Sequence, residues 1–304
     1  MFEIEQVPPI QLIEDELLKE KGITLYIKRD DLLHPEISGN KWRKLKYNFI
    51  RASELGYTRI LTFGGAFSNH IAATAFAANK YGFDSIGIIR GDELNENSNH
   101  TLRQAHGYGM NLEFISRSAY RQKESENFTN EMIQKYGSAY IIPEGGSNAL
   151  AVKGCSEILS DLDVEFDFLT TAVGTGGTIA GIASGLARDQ KALGFCVLKG
   201  AEYLQGVIEG LLAKSQKNWY INYDHHLGGY ARYNDQLIRF INEFWRNHKI
   251  PLDPIYTGKM MMGLYSEIRS GKFESGTRII ALHTGGLQGI EGFNIMHGEQ
   301  LHLK

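Results

Sequence analysis

Short apolar segments typical of strands alternate with longer amphipathic segments along most of this 304-residue chain. From Arg59 to Ile142 about four strand–helix pairs follow one another, since runs rich in β-branched and aromatic residues are separated by stretches with helical spacing. A helix between two strands lets those strands lie parallel in one sheet, with the helix packed on its face. The alternation therefore predicts an α/β fold of mainly parallel, twisted sheets that are flanked by helices.

A second series of the same kind runs from Glu165 to Gly286. It predicts a second α/β lobe, and the length of the chain suits two domains. We expect a smaller α/β domain at residues 52–150 and a larger one formed by residues 1–51 together with residues 151–304.

The composition argues against several kinds of partner. Charged residues make up 22% of the chain and the formal net charge is -3, and no basic stretch is interleaved with aromatic residues, so we expect no nucleic acid partner. The sequence contains no run of ~18 apolar residues, so we expect no membrane span. The acidic N-terminal stretch does not resemble a secretory signal. Cys155 and Cys196 are the only cysteines, so we expect no disulfide framework and a reducing, cytoplasmic location.

The stretch VGTGGTIAG (Val173–Gly181) combines a glycine-rich turn with the start of a helix. Glycines let the backbone present several N–H groups to one anion, and the helix start adds partial positive charge. Thr175 and Thr178 can add hydroxyl donors. The stretch lacks the lysine of a P-loop and the acidic ribose partner of a dinucleotide-binding motif. It predicts a phosphate site, with a plain tight turn as the alternative.

Two further stretches place polar residues at helix starts. In FGGAFSNH (Phe63–His70), Ser68 and Asn69 either cap a helix or hold a carboxylate or phenolate of a ligand. In ISGNKWRKLKYN (Ile37–Asn48), Lys41 and Lys44 lie three residues apart and share a helix face. These lysines are either solvated cations or a reactive amine beside a phosphate anchor.

The last motifs are DPIYTGK, which contains Tyr256 and Thr257, and LHTGG, which contains Thr284. Buried tyrosines often serve only for packing, so Tyr256 by itself does not indicate an active site. The chain has 10 histidines, but none lies in a zinc-binding H-E-x-x-H motif, and we expect no metal. No G-x-S-x-G motif supports a serine hydrolase.

Taken together, SGNKWRKLKY, GGAFSNH, GTGGT, DPIYTGK and HTGGL resemble, in order and approximate spacing, the D-cysteine desulfhydrase/1-aminocyclopropane-1-carboxylate (ACC) deaminase family. The resemblance extends from about Tyr26 to Gly292. It implies pyridoxal 5'-phosphate as cofactor, the fold type II of tryptophan synthase β, a small amino acid as substrate and a homodimer.

The resemblance also implies roles for individual residues. Lys41 matches the lysine that forms the Schiff base with the cofactor, and Lys44 matches a lysine that contacts the phosphate. Asn69 matches the residue at the ring oxygen of the cofactor, and Ser68 its neighbour that reaches the substrate carboxylate. The remaining matches are the phosphate loop and two active-site tyrosines, namely Thr175, Gly176, Gly177, Thr178, Tyr230 and Tyr256.

Thr257 and Thr284 separate the two activities of the family. ACC deaminases carry Glu and Leu at these positions, and a carboxylate near the ring nitrogen would deepen the electron sink that ring opening needs. A hydroxyl is a weaker partner, but it suffices for loss of a good leaving group such as a thiolate. We therefore expect Lys41 to remove the Cα proton of D-cysteine, with Tyr256 as acid–base partner, to give pyruvate, hydrogen sulfide and ammonia.

Several alternatives remain open. Phe67 stands where many members of the family have Gln, which leaves the substrate in doubt. The chain could be an ACC deaminase or an eliminase on β-chloro-D-alanine, D-serine or L-cysteine. Two interpretations outside this chemistry are a nucleotide-dependent oxidoreductase and a cofactor-binding protein without catalysis.

Overall fold

The computed structural model describes residues 2, 7–37, 39–213, 216–298 and 300–301. Ser38, the first residue of the motif that contains Lys41, lies outside the described residues. So does Lys214, at which the sequence predicts that a weakly helical stretch ends.

The described residues form two separate sheets, and the ten strands are β1 (Ile10–Ile13), β2 (Thr24–Lys28), β3 (Arg59–Gly65), β4 (Asp84–Arg90), β5 (Asn111–Ile115), β6 (Tyr140–Ile142), β7 (Phe168–Val173), β8 (Lys191–Cys196), β9 (Trp219–Asn222) and β10 (Arg278–Leu282). One sheet has the order β5-β4-β3-β6 and the other the order β1-β2-β10-β7-β8-β9. The pairs of the four-stranded sheet are parallel, and in the six-stranded sheet β1 alone pairs antiparallel. The predicted α/β class with two mainly parallel sheets is confirmed.

Helices pack around these sheets, and those of the described residues are α1 (Glu16–Lys21), α2 (Asn40–Glu54), α3 (Asn69–Tyr81), α4 (His100–Gly107), α5 (Arg117–Tyr120), α6 (Glu126–Tyr136), α7 (Ala149–Ser156), α8 (Gly177–Gly185), α9 (Leu204–Leu211), α10 (Asp235–His248), α11 (Thr257–Arg269) and α12 (Gln288–His297). The strand–helix alternation predicted from Arg59 to Ile142 occurs as β3 to β6, with α3 to α6 between these strands. The sequence did not indicate β1, α1, α5, α7 and β9, because most of them are short or lack a clear apolar period.

Helix α2 connects the two sheets. Its buried face, with Leu45, Phe49 and Ala52, joins a hydrophobic cluster that includes Ile60 and Ile142 of the four-stranded sheet. Its N-terminus is tied to the end of β10, because the Asn40 N–H donates to the Thr284 carbonyl at 3.3 Å. The predicted domain boundary near residue 51 thus falls within a helix that touches both sheets, and the division into two domains stays a prediction.

A buried ion network fixes the orientation of α2. The Arg43 guanidinium donates to Asp30 Oδ2 at 2.7 Å and to Asp161 Oδ2 at 2.5 Å. The Lys28 Nζ lies 3.4 Å from Asp30 Oδ1. Arg43 and Asp30 have no exposed surface. A buried guanidinium that lost these partners would be strongly unfavourable, so the network holds α2 in one register.

Within the described residues, the helices are too short or too polar to serve as membrane spans.

Candidate functional site

A cavity of about 470 Å³ lies where the carboxyl ends of strands from both sheets face each other. Crevices at the carboxyl ends of parallel strands are the usual ligand sites of α/β proteins. Ten of the residues singled out from the sequence line it, namely Lys41, Lys44, Ser68, Asn69, Thr175, Gly176, Thr178, Tyr230, Tyr256 and Thr284. The motifs are far apart in the chain, and the fold brings them to one place.

Lys41 enters the cavity from the first turn of α2. Gly39 precedes the helix with φ 63°, and a Cβ at this position would lie 1.9 Å from the Thr284 carbonyl oxygen. Glycine is therefore needed for α2 to start against the end of β10. The Lys41 amine donates to Asn40 Oδ1 at 2.9 Å, and the Asn40 amide donates to Thr178 Oγ1 at 2.8 Å. This relay orients the amine toward the glycine-rich turn.

The surroundings of Lys41 favour its neutral amine. Burial, followed by the positive charge of Lys44, lowers the pKa of Lys41 to about 7. A lysine with such a pKa offers a free electron pair near neutral pH, as a nucleophile or base requires.

Lys44 forms the cationic wall of the same cavity. Its ammonium donates to the Gly145 carbonyl and to Ser147 Oγ, both at 3.0 Å, and to Thr175 Oγ1 at 3.4 Å. Among the described residues no carboxylate lies within ion-pair distance of Lys44. Burial lowers the pKa of this amine to about 8. A buried cation held only by neutral oxygens is suited to bind an anion.

The glycine-rich turn lies beside Lys44 and adds further groups that suit an anion. Gly176 lies at the start of α8 with φ 80°. A Cβ on Gly177 would lie 3.0 Å from the Lys44 amine and 2.6 Å from Ser147 Oγ. Only glycine leaves room there for an anion between the helix start, the hydroxyls and the ammonium. These residues fit a phosphate group, and together with Lys41 they fit pyridoxal phosphate.

Ser68 and Asn69 line the cavity from the start of α3. Ser68 Oγ accepts from the Ile71 N–H at 3.3 Å, so Ser68 caps the helix and also lines the cavity. Asn69 Oδ1 accepts from Gln288 Nε2 at 3.1 Å. The capping interpretation of Ser68 is therefore confirmed, and its face toward the cavity leaves ligand binding possible as well.

Two tyrosines close a third side. The rings of Tyr230 and Tyr256 have centroids 6.1 Å apart and meet edge to face. Burial raises the pKa of Tyr230, and burial together with Tyr230 raises the pKa of Tyr256 well above its usual value. Both phenols therefore keep their protons at neutral pH and can serve as donors.

Thr257 and Thr284, on which the expected substrate depends, occupy different places. Thr284 lines the cavity. Thr257 lies behind the wall, where its hydroxyl donates to Asp253 Oδ1 at 2.7 Å and accepts from the Asp253 N–H at 2.9 Å. Asp253 also accepts from the N–H groups of Ile255 and Tyr256. The hydroxyl of Thr257 thus holds the start of α11, and of the two threonines Thr284 is the one that lines the cavity.

Several residues that line the cavity were not predicted from the sequence. Ser147 contributes a hydroxyl to the anion site and donates to or accepts from Thr175 Oγ1 at 2.6 Å. It follows Gly145 and Gly146 after β6 and precedes α7, which is the same strand–glycine–helix pattern that singled out the other motifs. Arg90, at the end of β4, also lines the cavity.

His70 is another missed residue, and its tautomer follows from its partners. Thr62 Oγ1 donates to the Ile142 carbonyl, so it accepts from His70 Nε2 at 2.8 Å. Burial, with the charges of Lys41 and Lys44, keeps the pKa of His70 well below its usual value. His70 is therefore a neutral group beside the two lysines.

Known proteins resemble this chain over most of its length. A profile of the family described as "Pyridoxal-phosphate dependent enzyme" matches residues 5–285. The mitochondrial bifunctional D-cysteine desulfhydrase/1-aminocyclopropane-1-carboxylate deaminase of Arabidopsis thaliana is 35% identical over 295 residues, which cover 88% of this chain and 74% of that protein. A D-cysteine desulfhydrase of Yersinia pestis is 30% identical over 291 residues, which cover 87% of each protein. The crystal structure of an ACC deaminase homologue matches with a TM-score of 0.80 and 30% identity, over 94% of this chain and 91% of that one.

Proposed function

Since this chain belongs to the D-cysteine desulfhydrase/ACC deaminase family of pyridoxal-phosphate dependent enzymes, we propose that it converts D-cysteine to pyruvate, hydrogen sulfide and ammonia. Its membership of this family makes the alternative of a nucleotide-dependent oxidoreductase wrong. The family includes both desulfhydrases and deaminases, so the substrate itself is the proposal.

One observation carries the choice of β-elimination. The cavity contains a lysine amine whose pKa is about 7 and a tyrosine phenol that stays protonated, namely Lys41 and Tyr256. Elimination across Cα and Cβ needs a base for the Cα proton and, at the other carbon, a departing group that a nearby donor can stabilise. D-cysteine has a Cα proton, whereas the Cα of ACC carries none.

The residues divide the remaining tasks among themselves. Lys44, Ser147 and Thr175 would hold the phosphate of the cofactor, and Lys41 would hold its reactive carbon. When bound, pyridoxal phosphate withdraws electrons from the Cα of an attached amino acid. The freed Lys41 amine takes the Cα proton, and Ser68 with the start of α3 receives the substrate carboxylate.

The leaving group argues for a thiol substrate. A thiolate leaves readily because an unperturbed thiol has a pKa of about 8.5, so it needs only a hydrogen bond from a neutral phenol. Tyr256 and Tyr230 are such donors. Thr284, a hydroxyl at the cavity wall, supports the same choice, because elimination of a thiolate needs less electron withdrawal than opening of a cyclopropane.

ACC deamination is the second candidate, since the names of the relatives include it. Eliminases on D-serine, L-cysteine or β-chloro-D-alanine form a third group. They stay candidates because Phe67 stands where many members of the family have Gln.

Steady-state assays with purified holoenzyme test the proposal. We expect sulfide and pyruvate in equal amounts from D-cysteine, with kcat/KM above that for ACC, D-serine and L-cysteine. Tyr256→Phe is expected to lower kcat on the order of 10²-fold while the cofactor absorption persists. Formation of 2-oxobutanoate from ACC without sulfide from D-cysteine would assign the protein to the deaminases instead.

A cytoplasmic location and a homodimer belong to the same proposal. The absence of any organising disulfide supports the first, because Cys155 and Cys196 are both free and buried. The resemblance to the family supports the second. Light scattering of the purified protein would show the mass of a monomer if the dimer is incorrect.

A further inference from the structure

The loop that carries Tyr230 has a demanding backbone. Leu227 and Ala231 have φ angles of 54° and 56°, and Gly228 and Gly229 have φ angles of 92° and 116°. Left-handed conformations in side-chain-bearing residues are unfavourable and persist only when the surroundings enforce them. Something outside the loop must therefore hold it in place.

Two consecutive turns make up this loop. The Gly229 N–H donates to the His226 carbonyl at 3.1 Å, and the Arg232 N–H donates to the Gly229 carbonyl at 3.2 Å. Tyr230 lies inside the second turn, so its direction depends on both turns. The carbonyl oxygens of His226 and Gly229 each have a second lone pair that the turns do not use.

Lys259 binds both of these carbonyl oxygens. Its ammonium donates to the Gly229 carbonyl at 2.6 Å and to the His226 carbonyl at 2.9 Å. The side chain is 1% exposed, and among the described residues no carboxylate forms an ion pair with it. Burial lowers the pKa of Lys259 to about 8, so the group is still mainly an ammonium at neutral pH.

Lys259 lies in α11, which begins directly after Tyr256, and so connects that tyrosine with the loop of Tyr230. Lys259 is the last residue of the motif DPIYTGK and follows Tyr256 by three residues. The sequence predicted no role for this lysine. Asp253 anchors the start of α11 through the Tyr256 N–H and the Thr257 N–H, both at 2.8 Å. The segment that places Tyr256 directly thus also reaches the loop of Tyr230.

We propose that Lys259 is a positioning residue whose buried ammonium, bound to the turn-closing carbonyls of His226 and Gly229, holds Tyr230 against Tyr256 in the cavity. The ammonium is tethered to α11, the helix that follows Tyr256. This inference rests on the proposed function for the role of Tyr230, and on the geometry alone for the role of Lys259 in the loop.

The first test measures the loop itself. Lys259→Met removes the ammonium and keeps a long apolar side chain, and Lys19→Met, on exposed α1, is the matched loss of a lysine. Amide hydrogen exchange of the cofactor-loaded protein, followed by mass spectrometry, is expected to rise for residues 223–233 in Lys259→Met alone. Exchange equal to that of the parent protein would overturn the proposal. Lys259→Gln replaces the methionine variant if that variant does not fold.

The second test asks whether Lys259 acts through Tyr230. Misplacement of a catalytic group by about 1 Å can cost roughly 10²-fold in rate, so we expect a loss of that order in kcat/KM for Lys259→Met. In a Tyr230→Phe background the same substitution should change kcat/KM by no more than about twofold. An equal loss in both backgrounds would overturn the positioning role.

The two proposals fail in different ways. If the parent protein turns over none of the candidate amino acids, the proposed function fails and the exchange measurement still decides the role of Lys259 in the loop. If turnover is normal but neither exchange nor the double-variant comparison responds, the inference about Lys259 fails and the proposed function stands.

Discussion

Two faces of helix α2 carry cations in opposite surroundings. On one face Arg43 and Lys46 are paired with carboxylates, the first with Asp30 and Asp161 and the second with Glu157. On the other face Lys41 and Lys44 point into the cavity, and their hydrogen bonds go to neutral oxygens.

The difference shows how one helix serves stability and chemistry at once. Although burial opposes its charge, the charge of Asp30 and the hydrogen bonds to Asp30 and Asp161 raise the pKa of Arg43, so this paired cation keeps its proton. A cation without a carboxylate is destabilised by burial, so its pKa falls and its amine becomes reactive or free to bind an anion. The cavity face therefore reduces stability in exchange for reactivity, as is common at functional sites.

Lys41→Ala should produce the largest effect on the cavity face. We expect activity to fall on the order of 10³-fold or more, because a positioned acid–base group contributes about 10²–10⁴ in rate. The absorption band of the lysine-bound cofactor should also disappear. Lys46→Ala removes a cation from the same helix and serves as the control. Loss of activity in both variants to the same extent would contradict the separation of the two faces.

Arg43→Met should produce the largest effect on the paired face. It leaves Asp30 and Asp161 without their guanidinium, and removal of one partner of a buried pair costs about 3–5 kcal/mol of unfolding free energy. Chemical denaturation measures this loss, with exposed Arg51→Met as the control on the same helix. A variant that keeps its stability but loses activity would place Arg43 in the chemistry rather than in the scaffold.

Lys44→Met tests the coupling between the two cavity lysines. The positive charge of Lys44 is the second cause, after burial, that lowers the pKa of Lys41 to about 7. The neutral amine of Lys41 therefore increases as pH rises through about 7, and Lys44→Met should move this midpoint upward. The pH dependence of Lys41 acylation in the apoprotein, quantified by mass spectrometry, measures the midpoint, with Lys46→Met as control. An unchanged midpoint would show that burial alone sets the pKa.

The same variant should weaken cofactor binding. A hydrogen bond to a charged group contributes about 1.5–3 kcal/mol, so the dissociation constant of pyridoxal phosphate should rise roughly 10- to 150-fold, as measured by equilibrium dialysis. The stability of the protein without cofactor should not fall. Because burial lowers the pKa of Lys44 to about 8, its ammonium opposes folding fully below about pH 8, and this penalty disappears as pH rises toward the pKa of the unfolded state.

The sheets could be predicted because their pattern is local. Strands β3 to β5 are runs of β-branched and apolar residues, each followed by a helix that ends at a turn, and this alternation needs no knowledge of contacts. Strand β1 is four residues long and is defined by its antiparallel pairing with β2. Such a strand has no pattern of its own, so only the three-dimensional pairing identifies it.

The site could be predicted only in part, because the surroundings of a side chain are not local. The sequence places Lys41, Arg43, Lys44 and Lys46 in one cationic stretch. Helical spacing puts Lys41 and Lys44 on one face, but only the resemblance assigns these two lysines a role in the chemistry. Arg43 is distinguished by Asp161, which lies 118 residues further along the chain. Ser147 has the same strand–glycine–helix pattern as the other motifs, but its contact with Thr175, 28 residues away, is visible only in the structure.

Lys46→Met should give the smallest effect and sets the lower limit of the comparison. The Lys46–Glu157 pair, at 2.8 Å, has side chains that are 22% and 27% exposed, and ion pairs open to solvent contribute about 0–1 kcal/mol. The Tyr47 hydroxyl also donates to Glu157, so this carboxylate keeps a partner when Lys46 is removed. We expect a loss of unfolding free energy below about 1 kcal/mol, smaller still at high salt, with unchanged activity and cofactor binding. A loss as large as that of Arg43→Met would mean that pairing with a carboxylate, rather than burial of the pair, determines how much each cation of α2 contributes to stability.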